Sequence, residues 1–186
     1  MELTTQRLII RDLKLEDAKS ISKYSSNLNV SRFMSNMPYP NAIPQVTEYI
    51  EKSIKDTLET PRINYRFGIA QKEDNQVIGG IALTALDDYN KTATIGYWIG
   101  EEFWNKGIMT EVAKKVIEFA FDKLDLRRIN ANAHTENISS NKLLKKIGFI
   151  FEGTRIKLDR VKSTGELRDT NIYGLLKENW VKNHKN

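Results

Sequence analysis

Residues 92–124 read TATIGYWIGEEFWNKGIMTEVAKKVIEFAFDKL, and two periodicities inside this stretch decide the fold. Ile95, Tyr97 and Ile99 alternate with Thr94, Gly96 and Trp98, the period of a strand. Further on, Met109, Val112, Ala113, Val116, Ile117, Ala120 and Leu124 recur at the three-and-four spacing of an amphipathic helix. Between the two lies Trp104-Asn105-Lys106-Gly107-Ile108-Met109-Thr110. The first N–H groups of a helix lack internal partners and carry partial positive charge, and a glycine there admits an anionic group close to the backbone. This turn therefore reads either as a phosphate site with Lys106 beside it or as a plain structural connection.

The flanks extend the pattern. Downstream, residues 128–134 (RINANAH) alternate as a strand, so strand, helix and strand form a right-handed crossover and a parallel pair. Upstream, residues 65–71 and 76–86 are strand-like, separated by Glu73-Asp74-Asn75; with residues 87–90 as the next turn they make an antiparallel meander. Gly79-Gly80 inside the second of these strands predicts a bulge or a close backbone approach. The expected sheet is mostly antiparallel with one parallel pair in its middle.

The rest of the chain adds a first strand over residues 3–12, a short helix over 16–24 and a loop over 27–41. That loop holds Phe33, Met34 and Tyr39, apolar side chains that pack as satellite core or line a substrate pocket. Pro44 opens a helix presenting Val46, Tyr49, Ile50, Ile54 and Leu58 on one face. After the crossover come a short helix over 139–147 stopped by Gly148, a strand over 149–159, a hairpin tip at 162–165, a final strand over 167–176 and a polar tail from Glu178. No repeat or linker interrupts the chain, so residues 1–186 are expected to form a single α/β domain.

Composition narrows the chemistry. With 40% hydrophobic and 28% charged residues the chain is globular in type. It has no cysteine, which excludes thiolate catalysis and disulfides within it and fits a reducing, cytoplasmic setting. Charge near residue 1 argues against a secretory signal, and no apolar run is long enough to span a membrane. The two histidines, His134 and His184, form no metal-ligand pattern, so no metal is expected. The net charge of +5 comes from scattered residues, which makes nucleic acid an unlikely partner and suits an anionic cofactor equally well.

Several motifs in a fixed order resemble the GNAT N-acetyltransferase fold. Residues 5–11 (TQRLIIR) followed by Glu16-Asp17-Ala18 look like that family's opening. Residues 95–100 (IGYWIG) and then Trp104-Asn105-Lys106-Gly107 are similar to its acetyl-CoA motif. Asn137, Ser140 and Asn141, with Gly148-Phe149 and Glu152-Gly153, resemble the branch that includes the ribosomal-protein N-terminal acetyltransferases of RimJ and RimL type. Trp104 and Met109 depart from the superfamily's commoner phosphate turn, and Leu144 stands where many members carry a tyrosine.

The resemblance implies a mixed sheet splayed around acetyl-CoA as co-substrate, with helices on both faces. It implies that the backbone of Tyr97, Trp98 and Ile99 pairs with the pantetheine arm, and that the N–H groups of Lys106, Gly107, Ile108, Met109 and Thr110 hold the pyrophosphate. Asn137 is expected to hydrogen-bond the pantetheine or a reaction-centre water, or to cap a helix. Ser140 is expected to protonate the departing thiolate, or to cap. Asp159 is the favoured general base among Asp159, Glu152, Glu101, Glu102 and His134. Phe33, Met34 and Tyr39 are candidates to contact the acceptor.

The expected reaction moves an acetyl group from acetyl-CoA to a primary amine, a protein N-terminus first. A small amine such as a polyamine, aminoglycoside or amino acid is the alternative acceptor, with Asp87 and Asp88 as sources of acidity. A non-catalytic acyl-CoA-binding module is a further alternative. Monomer and homodimer are equally open from the sequence.

Overall fold

The computed structural model describes residues 1–184. In chain order its elements are β1 (Glu2–Thr4), β2 (Leu8–Asp12), α1 (Ala18–Ser25), α2 (Leu28–Ser31), α3 (Ile43–Leu58), β3 (Tyr65–Gln71), β4 (Val77–Asp87), β5 (Thr92–Ile99), α4 (Ile108–Asp122), β6 (Arg128–His134), α5 (Ile138–Ile147), β7 (Ile150–Arg160), β8 (Leu167–Leu176) and α6 (Lys177–His184). The strands form one sheet in the order β1-β2-β3-β4-β5-β6-β8-β7. The β5–β6 pair is parallel and every other neighbouring pair is antiparallel, as the crossover through α4 requires.

The parallel pair is short. Its register runs from Thr92 opposite Arg128 to Ile95 opposite Ala131 and then stops. Beyond that point β5 stays paired to β4 as far as Ile99 opposite Gly79, and β6 stays paired to β8 as far as His134 opposite Thr170. Each strand keeps its outer neighbour while the inner pairing ends, so a wedge opens in the middle of the sheet. Gly79 and Gly80 lie on β4 opposite Ile99 and Trp98, the part of β5 that borders it. A Cβ at Gly79 would come within 2.6 Å of the Trp98 carbonyl, and one at Gly80 within 2.7 Å of the Trp98 indole nitrogen. The β3–β4 register also slips beside Gly79, so the glycine pair serves both close approach and a bulge.

The two faces carry separate apolar layers. Val112, Val116, Ile117 and Ala120 of α4 pack with Leu8, Ile10, Phe67, Ile69, Leu83 and Ile129. On the opposite face Ala18 and Ile21 of α1 and Val46 and Ile50 of α3 pack with Leu13, Ala70 and Val77. Alternation along the strands explains the split: Ile69 and Ile78 join the α4 layer, while Ala70 and Val77 join the other.

Four expectations need correction. The first strand is two strands, because Thr5 turns the chain: its N–H donates to the Leu8 carbonyl and its hydroxyl accepts from the Leu8 N–H. The loop over residues 27–41 contains α2, capped by the Asn27 side chain. On α3 the buried stripe is Val46, Ile50, Ser53 and Asp56, and Tyr49 and Leu58 are exposed. Residues 177–184 form a helix where a polar tail was expected. Trp180 explains it: the ring is buried, 6.4 Å from that of Phe121. Residues 185 and 186 of the expected domain lie outside the described residues.

Candidate active site

The phosphate-like turn closes the wedge. Gly107 sits at φ +73° as the residue before α4, a left-handed conformation that a side chain disfavours, and no side chain caps the helix. The first helical rung is the Glu111 N–H donating to the Gly107 carbonyl. The N–H groups of Ile108, Met109 and Thr110 precede that rung and have no helical turn behind them to supply acceptors. Met109 turns its side chain into the core, at 9% exposure, so its bulk does not crowd the backbone of the turn. Trp104 donates its indole N–H to the Ile99 carbonyl at 3.0 Å, fastening the turn to the end of β5.

Arg7, from the β1–β2 turn, grips this segment from behind. One guanidinium nitrogen donates to the Lys106 carbonyl at 3.1 Å, Nε donates to Glu111 at 2.8 Å, and NH2 pairs with the same carboxylate at 2.6 Å. Burial works against ionisation of Glu111, yet hydrogen bonds from Thr5 and Arg7 outweigh it, and its pKa lies below the ordinary glutamate value.

A cavity of about 420 Å³ fills the wedge. Its walls bring together Tyr97, Trp98, Ile99, Lys106, Gly107, Ile108, Met109, Thr110, Asn137 and Ser140, with Phe33 and Met34 at the side. Tyr39 is not among them and is half exposed, because the loop turns inward only as far as Ser35, whose carbonyl accepts from the Lys162 N–H of the β7–β8 hairpin. Asp159 is not a wall residue either.

Inside the cavity the Tyr97 hydroxyl and Ser140 Oγ are 2.9 Å apart. Burial pushes the Tyr97 phenol well above its usual pKa, against the opposing effect of the Ser140 hydrogen bond, so it stays protonated at neutral pH. Asn137 is the N-cap of α5: its Oδ1 accepts from the Ser140 N–H at 3.1 Å. Ser140 is therefore not the cap, and its hydroxyl is left for Tyr97. Leu144 is core, at 1% exposure. A phenol does reach α5 in the cavity, that of Tyr97, contributed by β5.

Behind Asn137 lies a second polar cluster. His134, 4% exposed, has Nε2 at 3.7 Å from Asp159 and 3.4 Å from the Ser35 hydroxyl, and its Nδ1 has no hydrogen-bond partner. Thr170 donates to the Asp159 carboxylate at 2.9 Å. Burial lowers the His134 pKa, with Asp159 pulling the other way, so the ring is held neutral. Asn141 ties this cluster to α5: its amide donates to the His134 and Asn137 carbonyls, and its Oδ1 accepts from Asn171 and the Tyr173 hydroxyl.

The other base candidates are engaged elsewhere. Glu101 accepts from the side chains of Asn27 and Asn29, which ties the α2 segment to the end of β5. Glu152 pairs with Arg128 at 2.6 Å, which lowers its pKa, and the pair lies across Gly174, where a Cβ would come within 2.4 Å of the guanidinium. Glu102 is exposed and outside the cavity.

A family model for the acetyltransferase (GNAT) domain matches residues 7–150. The chain belongs to the GNAT acetyltransferase family. The N-acetyltransferase p20 of Bacillus licheniformis, itself uncharacterized, is 35% identical over 179 residues, covering 96% of this chain and 98% of p20. The ribosomal-protein-serine acetyltransferase of Escherichia coli is 31% identical over 102 residues, 55% of each chain. Among solved structures, the microcin C7 self-immunity acetyltransferase MccE in complex with acetyl-CoA and AMP aligns with a TM-score of 0.81 at 26% identity, over 92% of this chain and 93% of that one.

This GNAT protein is thus an N-acetyltransferase with acetyl-CoA as donor, and its wedge suits that donor. Two lysines, Lys106 and Lys146, and no carboxylate stand among the described wall residues, and Gly107 leaves the start of α4 without a side chain of its own. Among the described residues no group of three or more His, Cys, Asp or Glu side chains is placed to hold a metal ion. No helix among them is long and apolar enough to cross a membrane. Sequence reasoning missed Lys146 and Leu143 as wall residues. Their signal was available: Ser139, Leu143 and Lys146 recur at helical spacing on one face of α5.

Proposed function

We propose that this GNAT enzyme acetylates the α-amine of a protein or peptide N-terminus of ribosomal-protein-like kind. The observation that carries this choice of acceptor is a missing counter-charge. A polyamine or aminoglycoside needs carboxylates, and none lines the wedge among the described residues. Asp87 and Asp88 lie at the Thr92 end of β5, away from the splay, and are occupied by Asn90 and Lys91. Over Gly96 and Asn132 the sheet is exposed, which leaves room for an extended segment. The partial likeness to a ribosomal-protein-serine acetyltransferase supports the same acceptor.

Acetyl-CoA, when bound, supplies an activated thioester carbonyl; the chain's own residues orient it and move protons. Backbone groups of Tyr97 to Ile99 hold the pantetheine arm, and the N–H groups of Lys106 to Thr110 hold the pyrophosphate. The Asn137 amide nitrogen, not used by the cap, donates to the pantetheine or to an ordered water. The amine adds to the carbonyl carbon, the C–S bond breaks, and Ser140 Oγ–H protonates the departing sulfur while the Tyr97 hydroxyl donates to Ser140. The amine proton passes through water to Asp159, which lies outside the cavity wall with neutral His134 beside it. Phe33 and Met34 flank the acceptor.

A smaller acceptor is favoured by one specific contact: the hydrogen bond from Lys162 to Ser35 bridges one side of the acceptor groove. Thiol release from acetyl-CoA, measured against N-terminal peptides and small amines, separates the two. In the same assay Ser140→Ala is expected to lower kcat roughly 10²–10³-fold with fold intact. Turnover almost unchanged removes Ser140 from the chemistry, and a pH–rate profile unmoved by Asp159→Asn removes Asp159 as base.

A further inference from the structure

Arg7 lies outside the cavity, and its contacts bear on how the glycine turn presents itself to an anion. Glu111 places a full negative charge in the first turn of α4, one residue after Thr110. Unopposed, that charge weakens the positive end of the helix where the turn is bare. Arg7 meets it with a guanidinium pair at 2.6 and 2.8 Å. The same guanidinium also reaches the turn itself, where its NH1 donates to the Lys106 carbonyl at 3.1 Å. The peptide between Lys106 and Gly107 is thereby oriented with its oxygen toward Arg7. The guanidinium packs against the turn: its NH2 is 3.9 Å from where a Cβ at Gly107 would lie.

We infer that Arg7 is a positioning residue for donor binding, which neutralises Glu111 and orients the Lys106–Gly107 peptide so that the turn presents N–H groups, and not carbonyl oxygen or carboxylate, to the phosphates. The inference rests on the turn being the pyrophosphate clasp. It assigns Arg7 no contact with the reacting atoms. Loss of Arg7 therefore affects donors in proportion to the phosphate they carry.

The test compares acetyl-CoA with S-acetylpantetheine, which has the same thioester and arm but no phosphate. With one acceptor at fixed concentration, Arg7→Ala is expected to lower kcat/KM for acetyl-CoA about tenfold, through KM, while kcat/KM for S-acetylpantetheine stays within about twofold. Arg7→Lys, which keeps the charge but not the fork, is expected to fall between wild type and Arg7→Ala. Equal losses with both donors in both variants overturn the inference, since general disorder of the fold does not distinguish them. If wild type itself uses the two donors equally well, the pyrophosphate clasp fails first. Should Arg7→Ala not fold, the Arg7→Lys ratio between donors decides alone: a selective loss supports positioning, and a uniform loss or none overturns it.

Discussion

Tyr97 and Ser140 meet in the wall of the wedge, and their 2.9 Å contact makes each hydroxyl's role depend on the other. Tyr97→Phe removes the donor behind Ser140 without opening a cavity; kcat is expected to fall roughly tenfold, about 1.4 kcal/mol, with KM for acetyl-CoA little changed. Steady-state thiol release reads this, and a change confined to KM contradicts it. His134 gives a pH signature of a different kind. Its folded pKa is depressed by burial, so on acidification the unfolded chain binds the proton first. The stability it contributes is present above an unfolded value of about 6.5 and declines as pH falls below it. Wild type is expected to lose Tm between about pH 7.5 and about pH 5.5, and His134→Gln to lose less. The sequence singled out Ser140 and Asn137, which both line the wedge, yet could not divide cap from hydroxyl, because both residue types cap helices and only the N–H geometry of α5 decides. Nor could it connect Tyr97 to Ser140, which are far apart in sequence and meet only because β5 and α5 border the same wedge.

Among the elements, β5 bears the most, serving β4 on one side and the open wedge on the other. Gly79 is what lets β4 lie so close to it. Gly79→Ala puts a Cβ 2.6 Å from the Trp98 carbonyl, a backbone atom that yields only if the strand moves. The expected cost is about 1–3 kcal/mol, read as a Tm several degrees lower, with a raised KM for acetyl-CoA as the β5 edge shifts. Gly96→Ala is the matched control: nothing lies within 4 Å of a Cβ there, so Tm is expected to stay near that of wild type. The bounds of the strands at residues 65–71 and 128–134 were legible to the residue. The break between β1 and β2 was not, because a single hydroxyl turn at Thr5 interrupts a run whose apolar pattern continues through it. The helix over residues 177–184 was hidden by its polar composition, with one tryptophan as its anchor.

At the scale of the whole molecule, one parallel pair in an otherwise antiparallel sheet creates the site. The crossover was readable from strand, helix and strand in sequence, whereas the point at which β5 and β6 part is set by pairings to β4 and β8 that no local pattern encodes. The Gly107 turn at the start of α4 was legible because its glycine and the helical period behind it mark it in the sequence, and it is there that we place the donor's phosphates. For the proposed acceptor side the sequence offered Phe33, Met34, Tyr39 and Asp159, but not the contact that joins their segments, the Lys162 N–H donating to the Ser35 carbonyl, because it links elements distant in sequence. The electrostatics are asymmetric as well: lysines and an uncapped helix end line the wedge, and the acidic pair at Asp87 and Asp88 lies at the far end of β5. The most direct measurement is a competition in one vessel, with acetyl-CoA limiting and an N-terminal peptide and spermidine at equal concentration, the products read by mass. Acetyl-peptide modified at its α-amine is the expected dominant product; acetylspermidine outrunning every peptide tried contradicts the account.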